Sequence, residues 1–189
     1  MIAGLVLAAG AARRFGAPKQ LAELAGRPLL EHALAAMTSA PLDRVVVVLG
    51  AYADEIRARV DLHGAESVVC AEWTEGQSAS LRSGIGALEG EAVAIAVALG
   101  DQPLLSPAAV ARVRAGRGRT YDAVRATYGG RPGHPIVLER ALFPRLTALT
   151  GDVGARELLA DANVREVDCG GLGRPDDVDT LEELEAVRA

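Results

Sequence analysis

"LVLAAGAARRFGAPKQL", residues 5–21, runs from an apolar stretch through a glycine, a pair of arginines and a second glycine to Lys19. Extended back to Ile2, the apolar part has no alternating polar positions, which predicts a strand, Ile2–Ala8, covered on both faces as in a parallel sheet. The loop that follows, Ala9 to Gln20, offers backbone N–H groups with little side-chain bulk in the way, chemistry suited to wrapping a phosphate. A solvated basic loop is the plainer alternative. Lys19 is the only lysine in the chain; every other basic side chain apart from histidine is arginine.

Working outward, further strands are predicted at Arg44–Leu49, Glu66–Cys70, Val93–Leu99, Tyr121–Tyr128 and Val164–Asp168. Helices are predicted between and after them, at Pro28–Met37, Ala53–Val60, Ala79–Leu88, Pro107–Ala115, Ala141–Leu149, Val153–Ala160 and Thr180–Val187, from apolar residues at three- and four-residue spacings. This alternation predicts a mostly parallel, doubly wound sheet between helical layers. After Tyr128, turn residues and a short strand at Pro135–Leu138 predict a small antiparallel insertion beside it. At 189 residues with no linker or repeat, the chain reads as one domain spanning 1–189.

Half of the residues are hydrophobic and only 3% aromatic, so the core is expected to consist of Ala, Val, Leu and Ile. The net charge of −5 speaks against a nucleic-acid partner, which would need a basic face. The apolar start lacks a basic segment before it, and no apolar run approaches the ~20 residues of a membrane span. Cys70 and Cys169 lack metal-ligand spacing and read as buried thiols of a cytoplasmic protein.

In open α/β sheets ligands sit beyond the carboxyl ends of the strands, so the loops after Ala8, Cys70 and Leu99 should converge. The first loop carries neither a Walker pattern nor G-x-G-x-x-G. Arg14 could fork across two phosphate oxygens, and Lys19 could act as a point charge. "ALGDQPLL" places Asp101 at the sheet edge, where a single carboxylate can hold Mg²⁺ together with phosphates and water, or merely cap a turn. "EGQSASLRSGIGAL" reads as a helix start capped by Ser78 or Ser80. In "PDDVDTLEEL", Asp179 suits the start of the last helix. His32 and His63 look like surface helix positions, and His134 in "PGHPI" is a turn histidine that could face the cleft.

Together "LAAGAARRFGAPK", "WTEGQSASLRSGI", "LGDQP", "GHPIVL", "LTGDVGARELL" and "DVDT" resemble the nucleotidyltransferases that attach a nucleotide to the molybdopterin cofactor, especially the cytidylyltransferase branch. The first stretch follows that family's LAAG-x-S-x-R-M-G-x-x-K. The resemblance implies a Rossmann-like three-layer α/β/α sandwich and transfer of CMP from CTP to molybdopterin with release of pyrophosphate. It further implies Mg²⁺ as cofactor and a molybdenum hydroxylase as recipient of the product. Carried onto this chain, Leu7, Ala8, Ala9 and Gly10 would cradle the nucleotide and Arg14 and Lys19 counter its charge. Asp101 and Asp179 would lie at the metal, and Gln77, Ser78 and Ser80 in the base-recognition segment. Ala12 stands where the pattern has Ser, Phe15 where it has Met, and Cys70 at a position often Asn. Alternatives are a guanylyl or other transferase with a different phosphorylated acceptor, and a carrier of the cofactor without turnover.

Overall fold

β1 (Ile2–Ala8) lies inside the sheet with a parallel neighbour on each side, and every residue from Ala3 on is buried. The computed structural model describes residues 1–12, 14–88 and 90–188. Around β1 the chain places β2 (Glu23–Leu24), β3 (Arg27–Pro28), α1 (Leu29–Thr38), β4 (Arg44–Leu49), α2 (Ala53–Arg59) and β5 (Glu66–Val69). Then come α3 (Gln77–Leu88), β6 (Ala94–Leu99), α4 (Pro107–Ala115), β7 (Ala123–Tyr128) and β8 (Arg131–Glu139). Last are α5 (Phe143–Thr147), α6 (Ala155–Leu158), β9 (Val164–Asp168) and α7 (Leu181–Arg188).

The seven-stranded sheet has the order β5-β4-β1-β6-β8-β7-β9, in which β8 alone runs against its neighbours. Successive strand residues face opposite sides. Val6 and Ala8 therefore pack with α1, α2 and α4, whereas Ala3, Leu5 and Leu7 pack with α3, α5 and α6. This is the expected three-layer sandwich. Gly84 brings α3 down onto β1: a Cβ there would stand 2.3 Å from Leu5 Cδ1 and 3.0 Å from Val48 Cγ2. Gly84→Ala is therefore expected to lower unfolding stability by about 1–3 kcal/mol through overpacking. Denaturant titration checks this, and an unchanged midpoint would show that the layers can separate at no cost.

Three elements differ from expectation. The β2–β3 hairpin closes on Ala25 and Gly26, both at positive φ (52° and 78°), the combination a two-residue primed turn requires; an alanine in that role gives no turn signal in sequence. The insertion enters the sheet itself instead of lying beside it. Gly129 and Gly130, at φ 58° and 77°, turn the chain tightly enough for pairing to begin at Arg131, which two prolines in "RPGHP" disguise. The two helices expected at 141–149 and 153–160 shrink to α5 and α6, each flanked by a 3-10 turn. Of the two histidines expected on helices, His32 is on α1, but His63 sits in a turn at φ 51°.

Cys70 and Cys169 are free and buried. Among the described residues no helix is long and apolar enough to cross a membrane.

Candidate active site

The loops after β1 and β6 and the start of α3 surround a cleft of about 490 Å³ at the carboxyl edge of the sheet. Gln20 shapes its first wall: the buried side-chain amide donates to the Ala8 carbonyl at 3.0 Å and the Gly10 carbonyl at 2.9 Å, holding the glycine loop open toward the cleft. Gly50 lets the next loop close in, since a Cβ there would lie 2.4 Å from the Ala9 carbonyl oxygen and 2.8 Å from Trp73 Cβ.

Lys19 begins the short 3-10 turn Lys19–Leu21 and reaches across the cleft. Its ammonium donates to Asp101 Oδ2 at 2.5 Å and to Asp179 Oδ1 at 2.6 Å, with only 14% of the side chain exposed. Burial alone would lower its pKa, but the Asp101 charge and hydrogen bond, then those of Asp179, outweigh it and hold the pKa above the usual lysine value. The hydrogen bond from Lys19 in turn holds Asp179 below the usual carboxylate range against burial, aided by the charges of Lys19 and Arg14. Arg14 donates to Asp179 Oδ2 at 2.5 Å from the solvent side. Asp179 is free for this role because Thr180 caps α7: its hydroxyl accepts from the Glu183 amide, while the Glu183 carboxylate accepts from the Thr180 amide. The Val178 amide donates to the Asp101 carbonyl at 2.9 Å, fastening the last segment to the loop after β6.

Leu7, Ala8, Ala9, Gly10, Lys19 and Asp101 line the cleft together with Gln77 and Ser80. Arg14 and Asp179 join through their ion pairs. Ser78 is a correction: it is fully buried, donates to the Gly151 carbonyl at 2.6 Å and is not among the lining residues. Neither serine caps α3; the Gln77 amide instead has Asp152 Oδ1 at 3.3 Å, so a distant loop closes the helix start. Ser78 and Arg82, which donates to the Leu149 carbonyl at 2.7 Å, hold that loop in place. Cys70, at the position often Asn in the family, is fully buried and is not among the residues that line the cleft.

Sequence reasoning missed Trp73 and Asp152 on this cleft and Gln102, Asp177, Arg125 and Arg156 on an adjoining one. "GDVGAR" holds two of them, Asp152 and Arg156, and a Cβ on Gly154 between them would stand 2.1 Å from Gln77 Oε1, so the Gln77 side chain would have to move. His134 does face the adjoining cavity. The register shift between Arg125 and Ala126 leaves His134 and Pro135 unpaired as a bulge of β8. Burial pushes the His134 imidazole down to about 4. An unfolded chain takes up this proton near the ordinary 6.5 and the folded one only near 4, so the stability this neutral ring carries is complete above 6.5 and is lost as pH falls toward 4. Thermal melts across that window should decline more steeply for wild type than for His134→Gln; parallel declines would exclude the histidine as the cause.

Residues 4–167 match the MobA-like NTP transferase domain family, and the chain belongs to it. It is similar to nicotine blue oxidoreductase of Paenarthrobacter nicotinovorans, 36% identical over 97% of this chain and 94% of the relative. It is also similar to the purine catabolism protein PucB of Bacillus subtilis, 33% identical over 98% of this chain and 95% of the relative. A solved structure of Rv0371c from Mycobacterium tuberculosis in complex with manganese superposes with a TM-score of 0.84 at 32% identity, covering 98% of this chain and 97% of that one.

Proposed function

We propose that this nucleotidyltransferase moves CMP from CTP to the terminal phosphate of molybdopterin, releasing pyrophosphate and leaving the cytosine dinucleotide form of the cofactor for a molybdenum hydroxylase. The observation that carries the transfer chemistry is the Lys19 ammonium held between Asp101 and Asp179 at the edge of the cleft. The acceptor phosphate oxygen attacks the α-phosphorus in line, forming the new P–O bond as the bond to pyrophosphate breaks. Such a step needs positioning and charge neutralisation more than covalent help. Leu7 to Gly10 hold the triphosphate against the end of β1. Lys19 and Arg14 swing from carboxylates to phosphate oxygens, and Lys19 meets the charge that develops on the leaving group.

The residues present fit Mg²⁺. Asp101 Oδ1 is buried without a hydrogen-bond partner. With Glu75 matched by Arg82 at 2.8 Å, Asp101 and Asp152 face a single ammonium, so the lining is too acidic to admit a triphosphate alone. Asp101, with Asp179 beside it, would hold the ion, which neutralises phosphate charge and polarises the α-phosphoryl oxygen. No group of three or more His, Cys, Asp or Glu side chains is gathered for a metal among the described residues, and an ion ligated largely by phosphates and water needs none. The manganese in the solved mycobacterial relative supports a divalent ion.

Cytosine is favoured because Ala9, where guanylyl-transferring sequences read LAGG, narrows the lining beside Gly50 and Trp73, leaving Gln77 and Ser80 to meet a single-ring base. Pyrophosphate release with each of four NTPs, Mg²⁺ and molybdopterin tests the whole reading. CTP should lead, and Ala9→Gly should narrow its advantage over GTP. A preference for GTP in wild type would overturn the cytidylyl assignment. The similarity to nicotine blue oxidoreductase motivates a second reading, and reduction of nicotine blue by an added electron donor without any pyrophosphate release would replace the first. Tight molybdopterin binding without either activity would leave a carrier.

A further inference from the structure

Two sets of residues line the nucleotide cleft. Gly10, Lys19 and Asp101 come from the loops after β1 and β6; Trp73, Gln77 and Asp152 come from the start of α3 and from a loop laid over it. With the phosphates on the first set, the base is left to the second. Asp152 reaches it from far along the chain, because its loop is fastened to α3: Ser78 donates to the Gly151 carbonyl at 2.6 Å and Arg82 to the Leu149 carbonyl at 2.7 Å. Gly76, at φ 108°, lets the two segments touch, since a Cβ there would stand 2.7 Å from Asp152 Cα. Asp152 Oδ1 accepts from the Gln77 amide at 3.3 Å and so caps α3. Capping engages one carboxylate oxygen, and Asp152 lines the cleft as well. It forms no ion pair among the described residues, whereas Arg82 holds Glu75, the other carboxylate of this set, at 2.8 Å.

We propose that Asp152 reads the base: its carboxylate accepts a hydrogen bond from an exocyclic amino group and thereby selects cytosine over uracil. This rests on the nucleotidyl-transfer reading and adds a criterion of a different kind. The two pyrimidines are the same size, so the narrowing at Ala9 does not separate them. They differ at one edge, where cytosine carries an amino group and uracil a carbonyl. A carboxylate offers acceptors only. Beside cytosine it gains a charge-assisted hydrogen bond; beside uracil it faces another acceptor, and both are left unmet. The ring N–H of uracil lies between two carbonyls, which would crowd against the same carboxylate. Purines can also carry an amino group, so Asp152 sets the need for that group and the wall at Ala9 sets the ring size.

Calorimetry with CTP and with UTP, in Mg²⁺ and without acceptor, tests this. Wild type should bind CTP about ten- to a hundredfold more tightly than UTP, the span expected for one hydrogen bond to a charged group. Asp152→Asn should bring the two within about threefold, because an amide can turn its NH₂ toward the uracil carbonyl. Its oxygen can still accept from the Gln77 amide, so the helix start is kept and the thermal midpoint should match wild type. Asp152→Ser, which caps a helix equally well and can also donate, decides the matter if the asparagine variant fails to fold. The proposal is overturned if wild type binds CTP and UTP equally, if it binds neither, or if Asp152→Asn weakens both by the same factor, which would reduce Asp152 to a helix cap. Pyrophosphate release by wild type at equal kcat/KM for CTP and UTP would likewise overturn it and leave the transfer reading standing. Discrimination in binding that disappears in Asp152→Asn, with no pyrophosphate released by wild type, would count against transfer and leave base recognition standing.

Discussion

Asp101→Asn should fold like wild type and release pyrophosphate at least a hundredfold more slowly, a loss on the order of 3–4 kcal/mol of transition-state stabilisation. Folding is spared because the tie to the last segment runs through the Asp101 backbone carbonyl, which accepts from the Val178 amide, and not through the carboxylate. Activity is lost because the amide removes the negative charge from Asp101, whose Oδ1 is buried at the cleft edge without a hydrogen-bond partner. A hard divalent cation is not held by a neutral amide as it is by a carboxylate. Matching circular dichroism and thermal midpoints, with turnover followed by pyrophosphate release over a Mg²⁺ titration, distinguish the two effects. Undiminished turnover would remove Asp101 from the metal.

Lys19→Arg keeps the charge and is expected to lower kcat by about a hundredfold, near 3 kcal/mol, while weakening CTP binding much less. The ammonium fits between two carboxylates at 2.5 and 2.6 Å in a position 14% exposed. A guanidinium is broader, planar and bidentate, so it would settle against one carboxylate and present its charge away from the leaving pyrophosphate. Single-turnover rates set against CTP affinity check this. Full activity in the arginine variant would make the lone lysine an accident of composition.

The sheet was legible because β1, β4 and β6 are apolar runs whose two covered faces leave no polar alternation, and because helical spacings recur between them. Asp101 and the glycine loop were legible for a related reason: each follows directly on a strand end, whereas Lys19, well beyond β1, was legible as the chain's only lysine. Asp152, Arg125 and Arg156 were not. Arg125 sits within a strand, where an arginine reads as an ordinary outward residue, and only the pairing of β8 between β6 and β7 turns it into a cavity wall. Ser78 failed for the opposite reason. Its hydroxyl suits a ligand as well as it suits the Gly151 carbonyl, and only the path of residues 149–152 over α3 decides between them. The hairpin at Ala25–Gly26 escaped because an alanine holds a conformation normally signalled by glycine or asparagine.

The charged centre is assembled from residues far apart along the chain: Lys19 and Asp101 are separated by 82 positions and Arg14 and Asp179 by 165. Contacts of such sequence separation close long loops, whose entropy the packing of the last segment has to offset. Without residues 177–179 in place, Lys19 would have Asp101 alone for company and the glycine loop no second carboxylate opposite it. What brings Asp179 home is the small apolar cluster in which Val178 and Leu184 pack on Phe15, Leu24 and Leu29. That cluster lies apart from the residues lining the cleft, so it fixes where Asp179 stands without touching a ligand. Phe15, at the family's Met position, bears on the charged centre through packing and not through contact.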